Sequence, residues 1–167
     1  MNAKEESKRT ETPQINLLGR AVTISNNHIL LAHDINTNNT FLPGGHIEYN
    51  EGAMHAIRRE LKEEFNGEAK IGQFIGIIEH SFDYNDQASH EINFLFKVKL
   101  LNIDQQQNPK SLEPHLEFHW HPIDKLEEAK LLPEPLSRVI QDYCRNKKGS
   151  LWISTMEPRS GTDAKPL

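Results

Sequence analysis

The sequence has little of what builds disulfide-linked or membrane-spanning proteins. Cys144 is the one cysteine among 167 residues, so an internal disulfide is excluded and a reducing compartment suits the chain. No apolar run approaches the roughly 20 residues needed to cross a bilayer, and the N-terminal stretch lacks the apolar core of a signal peptide. We therefore expect a soluble, cytoplasmic protein with no membrane partner.

The sequence also has no excess of basic residues. Lys and Arg together number 19 against 24 Asp and Glu, which gives a formal net charge of −5. This balance argues against nucleic acid and anionic membranes as partners, because both attract basic surfaces. It leaves an anionic small molecule open as a partner, since a divalent cation can invert the local field.

Large apolar residues are scarce at both ends of the chain. The length corresponds to one domain, which we expect to span residues 14–146. Residues 1–13 are predicted to form a flexible N-terminal tail and residues 147–167 a C-terminal tail.

Strand patterns outnumber helix patterns between these ends. The predicted strands are 15–24, 28–34, 71–80, 91–100 and 117–123. The first two are predicted to form a hairpin around Asn26 and Asn27, and residues 81–90 to form a polar loop. Helices are predicted within 50–65 and 131–145. This order indicates an α+β fold, or a layered α/β arrangement with a mixed sheet.

The strand predicted at 91–100 alternates between apolar and polar residues. Its apolar members share one face, and Asn93, Lys97 and Lys99 lie on the opposite one.

Three glutamates, Glu60, Glu63 and Glu64, lie within five positions of the helix predicted at 50–65. At about 100° per residue they share one arc with two alanines, and the basic residues fall on another side. A solvated face would tend to mix the two signs of charge. Two interpretations remain: a charged surface helix without a ligand, or a site for a hard cation such as Mg²⁺, which takes oxygen ligands and bridges to phosphates.

The segment before this helix favours the cation. Pro43, Gly44 and Gly45 form a turn whose backbone can approach closely and point its carbonyls or amides inward. Glu51 precedes Arg59 by eight residues on roughly the same side of the helix. The guanidinium fork of Arg59 can therefore tie the loop to the helix.

The stretch that begins at Gly45 resembles the Nudix box, G-x5-E-x7-R-E-U-x-E-E-x-G-U, in which U is aliphatic. The matching residues are Gly45, Glu51, Arg59, Glu60, Leu61, Glu63 and Glu64. Asn66 and Gly67 depart from the pattern, standing where the family has glycine and an aliphatic residue. Asparagine tolerates the left-handed conformation, so we expect Asn66 to end the helix as glycine would. Gly67 is expected to lose a core contact and to loosen the helix exit.

The resemblance implies an α/β/α sandwich around a mixed sheet and the hydrolysis of a small nucleoside diphosphate derivative. It implies that Glu60, Glu63 and Glu64, with the Gly44 carbonyl, hold one or more Mg²⁺ or Mn²⁺ ions. It also implies that Arg59, helped by Glu51, orients these carboxylates. A homodimer is expected at the level of the family alone.

The family often recruits a further acid from a loop outside the box. We expect Glu113 to fill this role, with Glu117 as the alternative, and the general base is then one of these two or a box glutamate. A second function stays open: a non-catalytic module of the same fold that senses a nucleotide such as ADP-ribose. The intact carboxylate set favours the enzyme.

Overall fold

A computed structural model describes residues 14–84, 87–104, 107–146 and 152–156. The strands are β1 (Ile15–Val22), β2 (Ile24–Ser25), β3 (His28–Asp34), β4 (Asn39–Phe41), β5 (Gly44–His46), β6 (Ala69–Tyr84), β7 (Gln87–Leu100), β8 (Leu116–Pro122) and β9 (Trp152–Ser154). The helices are α1 (Ala53–Phe65) and α2 (Leu136–Cys144), and a 3₁₀ segment covers Ile123–Ala129.

Two sheets lie between the helices. One has the strand order β5-β1-β7-β6-β9 and is mixed, since β1 runs parallel to β7 and antiparallel to β5. In the other, β3 pairs with β2, β4 and β8, all antiparallel. This arrangement confirms the predicted α+β class with a central mixed sheet.

The core consists of two clusters on opposite faces of the sheets. The first contains Ile57 and Leu61 of α1, and the second contains Leu136 and Ile140 of α2. Neighbouring residues of one strand enter different clusters: in β1, for example, Ala21 enters the first and Val22 the second. Such alternation follows from the two-residue period of a strand, and it places one helix on each side of the sheets.

Two pairings differ from the sequence prediction. The hairpin around Asn26 and Asn27 exists, with φ of 46° and 59°, but it joins β3 only to the two residues of β2. The main strand of that stretch, β1, pairs with β7 instead. The prediction of a loop over 81–90 was also wrong, because β6 and β7 continue through it as far as Tyr84 and from Gln87. Cross-strand pairing satisfies the backbone there even though most of the side chains are polar.

Two further features were not predicted. Asn93 is buried rather than on an open polar face, because its side of β7 also carries Leu95, which belongs to the cluster that contains Leu136 and Ile140. Trp152–Ser154, within the stretch predicted as a C-terminal tail, forms β9 and pairs parallel to β6.

No helix in the described ranges is both long and apolar enough to cross a membrane.

The end of α1 confirms one expectation and corrects another. Asn66 adopts the left-handed conformation at φ 57°, and its N–H and that of Gly67 bond back to Lys62 and Leu61. The exit is not looser at Gly67, however. The Phe65 ring fills the space there, since a Cβ on Gly67 would come within 2.5 Å of it.

Candidate active site

Close packing between glycines and α1 brings the acidic arc of the helix, formed by Glu60, Glu63 and Glu64, to the Gly-Gly turn at Gly44 and Gly45. A Cβ on Gly19 of β1 would lie only 2.8 Å from Ile57 Cγ1, so α1 approaches β1 as closely as the backbone allows. On the neighbouring strand, a Cβ on Gly45 would lie 2.6 Å from both carboxylate oxygens of Glu60. The Glu60 carboxylate therefore occupies space that any larger residue at 45 would take.

Gly44 links the turn to a second glutamate. Its φ of +117° is open to glycine and strained for other residues, and an added Cβ would clash with the Gly19 carbonyl. In this conformation the Gly44 N–H donates to Glu64 Oε2 at 3.2 Å, and the Gly44 carbonyl accepts from Arg20 Nη1 at 2.7 Å.

Glu64 is a buried carboxyl group, with 3% of its surface exposed. Burial raises its pKa to about 8, because removal from water disfavours the charged form, and the negative charges of Glu60 and Glu113 add to the effect. The hydrogen bond from Gly44 and the positive charge of Arg20 act in the opposite direction.

Arg59 connects the loop before α1 to the acidic arc. Its Nε and Nη2 donate to the two carboxylate oxygens of Glu51 at 2.9 and 2.8 Å, as the sequence predicted. Nη1 donates to Glu60 Oε1 at 2.8 Å and lies 3.4 Å from Glu63 Oε2, and Nη2 also donates to the His46 carbonyl at 2.9 Å. These bonds lower the pKa of Glu51 to about 2 and raise that of Arg59.

The structure thus brings together Gly44, Glu60, Glu64 and Arg59, whereas Glu63 lies at the margin with 56% of its side chain exposed. Within the described part of the chain, no three His, Cys, Asp or Glu side chains are arranged as a group that could hold a metal ion. Arg59 bridges Glu60 and Glu63 instead.

The two candidate acids outside the box lie in different places. The loop that carries Glu113 docks on the end of α1, where the Leu112 N–H donates to the Glu64 carbonyl at 2.8 Å. The Glu113 carboxylate lies 3.4 Å from His115 Nε2, and its charge acts on Glu64.

Glu117 pairs with His33 across β8 and β3. It borders a cavity of about 370 Å³ that is also lined by Asn108, Pro109, Ser111, Leu116, Phe118 and His119. Of the two acids, Glu113 is the one whose charge acts on Glu64.

Sequence reasoning missed Arg20 and Asn93, which lie directly behind the Gly-Gly turn. Arg20 Nε donates to Asn93 Oδ1 at 3.2 Å, and Nη1 also donates to the Leu42 carbonyl at 3.1 Å. Burial lowers the pKa of Arg20, an effect that nearby glutamates partly offset. One signal was available: Arg20 is the single charged residue in the stretch INLLGRAVTI.

A family model for the NUDIX domain matches residues 16–143 of this chain. The chain belongs to the Nudix family. It is a Nudix hydrolase, a class of enzymes that hydrolyse pyrophosphate bonds in small nucleotide derivatives and generally use divalent cations.

Solved structures of Nudix proteins share the fold at low sequence identity. A MutT protein from Methanosarcina mazei Go1 is 22% identical with a TM-score of 0.64, over 83% of this chain and 99% of that one. A MutT NUDIX hydrolase from Burkholderia pseudomallei is 20% identical with a TM-score of 0.60, over 77% and 97%. A UDP-X diphosphatase is 19% identical with a TM-score of 0.56, over 89% and 70%. These likenesses establish the Nudix fold.

Proposed function

We propose that this chain hydrolyses the pyrophosphate bond of a nucleoside diphosphate derivative with Mg²⁺ or Mn²⁺ held by Glu60, Glu63, Glu64 and the Gly44 carbonyl. The observation that carries the proposal is the junction between the Gly-Gly turn and the acidic arc of α1. There the Gly44 N–H donates to Glu64, and the bare backbone of Gly45 leaves room for Glu60. A backbone carbonyl and two carboxylates are thereby gathered at one end of the sheet.

The chemistry of these donors fits a hard divalent cation. All of them are oxygen atoms, which Mg²⁺ and Mn²⁺ prefer. A cation beside the buried carboxylate of Glu64 would offset the cost of removing that charge from water. Glu63 can leave its 3.4 Å contact with Arg59 at little cost, because exposed ion pairs contribute only about 0–1 kcal/mol.

The cation would supply screening of the phosphate charges and a lower pKa for the attacking water. The chain supplies orientation. Arg59 holds Glu60 through Nη1, and its bonds to Glu51 fix the guanidinium against the loop. Gly44 holds Glu64 from the other side. Side chains that are already in place lose less entropy when the substrate arrives.

In the hydrolysis itself, the oxygen of water bonds to phosphorus and the bridging P–O bond breaks. The bridging oxygen leaves with the electron pair, and the proton of the water passes to a carboxylate. Glu113 is our first choice for that carboxylate because its loop docks on the end of α1 beside Glu64. A box glutamate or Glu117 is the alternative general base.

A substrate panel tests the proposed function. ADP-ribose, dinucleoside polyphosphates, oxidised nucleoside triphosphates and nucleotide sugars are each incubated with purified protein, and released phosphate or nucleotide is measured. UDP-linked compounds belong in the panel because one structural neighbour is a UDP-X diphosphatase. We expect turnover of at least one class with Mg²⁺ or Mn²⁺ and its loss in a chelator. Turnover unaffected by chelation, or no turnover of any class, would contradict the proposal.

A further inference from the structure

Arg20 and Asn93 form a polar pair to which the reaction described above assigns no role. Asn93 lies in the middle of β7 with 1% of its surface exposed, and its Oδ1 accepts from Arg20 Nε at 3.2 Å. The Nδ2 of the same amide is buried and has no partner among the described residues. An unpaired buried donor is costly, so the hydrogen bond that Oδ1 accepts from Arg20 is the feature that accounts for an asparagine here.

The guanidinium of Arg20 spans from β7 to the turn before α1. While Nε is held by Asn93, Nη1 donates to the carbonyls of Gly44 at 2.7 Å and Leu42 at 3.1 Å. Its Cζ also lies 5.4 Å from the centre of the Phe41 ring. A rigid fork can serve two anchors on different elements at once, which the single ammonium of lysine cannot do with the same geometry.

Gly44 connects Arg20 to the acidic arc through hydrogen bonds of its carbonyl and its N–H. Its carbonyl accepts from Arg20, and its N–H donates to Glu64 Oε2. A glycine at φ +117° has wide backbone freedom, so the orientation of its two polar groups depends on the partners that hold them.

We propose that Arg20, anchored by Asn93, is a positioning residue that orients the Gly44 carbonyl and the Glu64 carboxylate for the divalent cation. This inference rests on the proposed function, because it concerns the same metal site.

The positive charge of Arg20, taken by itself, would oppose metal binding rather than favour it. A guanidinium beside the site repels a divalent cation, so a residue that acted only through its charge would weaken metal binding, and its removal would strengthen it. Two substitutions keep the net charge and change only the geometry. Arg20→Lys removes the fork, and Asn93→Leu removes the anchor at similar volume together with the unpaired Nδ2.

The experiment measures Mn²⁺ binding by electron paramagnetic resonance without substrate. We expect Arg20→Lys to bind Mn²⁺ about 10–100-fold more weakly than wild type, the range associated with outer partners of metal ligands. Asn93→Leu loses one hydrogen bond, and we expect about fivefold weaker binding. Arg138→Lys is the matched control, since Arg138 lies on α2 with 88% of its side chain exposed, and wild-type binding is expected. At saturating Mn²⁺, both site variants should recover kcat with an unchanged KM.

Three results would overturn the inference. Arg20→Lys and Asn93→Leu could bind Mn²⁺ as wild type does. Arg20→Lys could raise KM at saturating Mn²⁺ with unchanged Mn²⁺ affinity, which would place Arg20 against the substrate. The loss of Mn²⁺ binding in a variant could also equal the fraction of that variant that urea titrations without metal show to be unfolded. The role of Arg20 would then be structural.

Glu64→Gln separates this inference from the proposed function. If Glu64→Gln loses Mn²⁺ binding while the Arg20 and Asn93 variants keep it, only the positioning role fails. If Glu64→Gln binds Mn²⁺ like wild type, the proposed metal site itself fails.

Discussion

Arg59 donates to both carboxylate oxygens of Glu51, from Nε at 2.9 Å and from Nη2 at 2.8 Å. The two residues lie on either side of the start of α1 at Ala53, so this pair joins the loop to the helix. The third nitrogen, Nη1, reaches Glu60 at 2.8 Å. One planar side chain therefore orders the loop and the acidic arc together.

Replacing Arg59 with lysine tests the importance of this planar geometry. Arg59→Lys keeps the charge but cannot donate to both oxygens of Glu51 and to Glu60. We expect kcat to fall by roughly 10–100-fold with a circular dichroism spectrum like that of wild type. Arg58→Lys is the matched control, because Arg58 is exposed and donates to Met54 of its own helix. Equal activity of the two variants would show that the fork is dispensable.

The same pair predicts how stability depends on pH. The hydrogen bonds from Arg59 lower the folded-state pKa of Glu51 to about 2, below the value of 4.5 for a free carboxyl. A lowered folded pKa stabilises the protein above the unfolded pKa, and this stabilisation is lost as pH falls from about 4.5 to about 2. Over that window we expect the free energy of unfolding of Glu51→Gln, measured in urea, to fall less steeply than that of wild type. Parallel curves would contradict the assignment.

The two adjacent glutamates of the helix, Glu63 and Glu64, should both be required for activity. Glu63→Gln and Glu64→Gln should each lower kcat by about 100-fold or more, since loss of a direct ligand should cost at least as much as loss of an outer partner. Glu64→Gln should not lower the free energy of unfolding of the metal-free protein, because it removes an acid from a buried position. Glu128→Gln, at an exposed position of the 3₁₀ segment, is the control. Wild-type kcat in both site variants would rule out the assigned roles.

Gly67 offers a test of packing at the end of α1. A Cβ at this position would meet the Phe65 ring, which packs edge-on against Phe118 with centroids 4.8 Å apart. We expect Gly67→Ala to lower the free energy of unfolding by about 1–3 kcal/mol, the usual cost of overpacking. The matched control is Gly52→Ala, because a Cβ on Gly52 has no atom within 4 Å. A Gly67→Ala protein as stable as the control would mean that Phe65 moves aside freely.

Local patterns were the part of the structure that sequence reasoning captured. The helix predicted within 50–65 contains α1, the strand predicted at 28–34 is β3, and the pair of Glu51 and Arg59 forms as expected. Each of these depends on residues that are near one another in the chain. Helical periodicity, turn residues and short spacings suffice for them.

Contacts between strands that are far apart in the sequence could not be predicted from local patterns. Residues 81–90 have the composition of a loop, but 81–84 and 87–90 are strand because β6 and β7 pair along their length. The bond between Arg20 and Asn93 joins residues 73 positions apart, and it exists because β1 runs parallel to β7. Sequence composition carries little information about which strands will be neighbours.

The sequence by itself determined the acidic helix, the glycine turn before it and the family to which both point, because these features lie within about 20 consecutive residues. Only the tertiary structure decided how the turn is held. It placed Arg20 behind Gly44, buried Asn93 within the sheet and brought the loop of Glu113 to the end of α1. The physical reason is that strand pairing and burial on both faces of a sheet depend on the whole chain, whereas helix periodicity depends on neighbours.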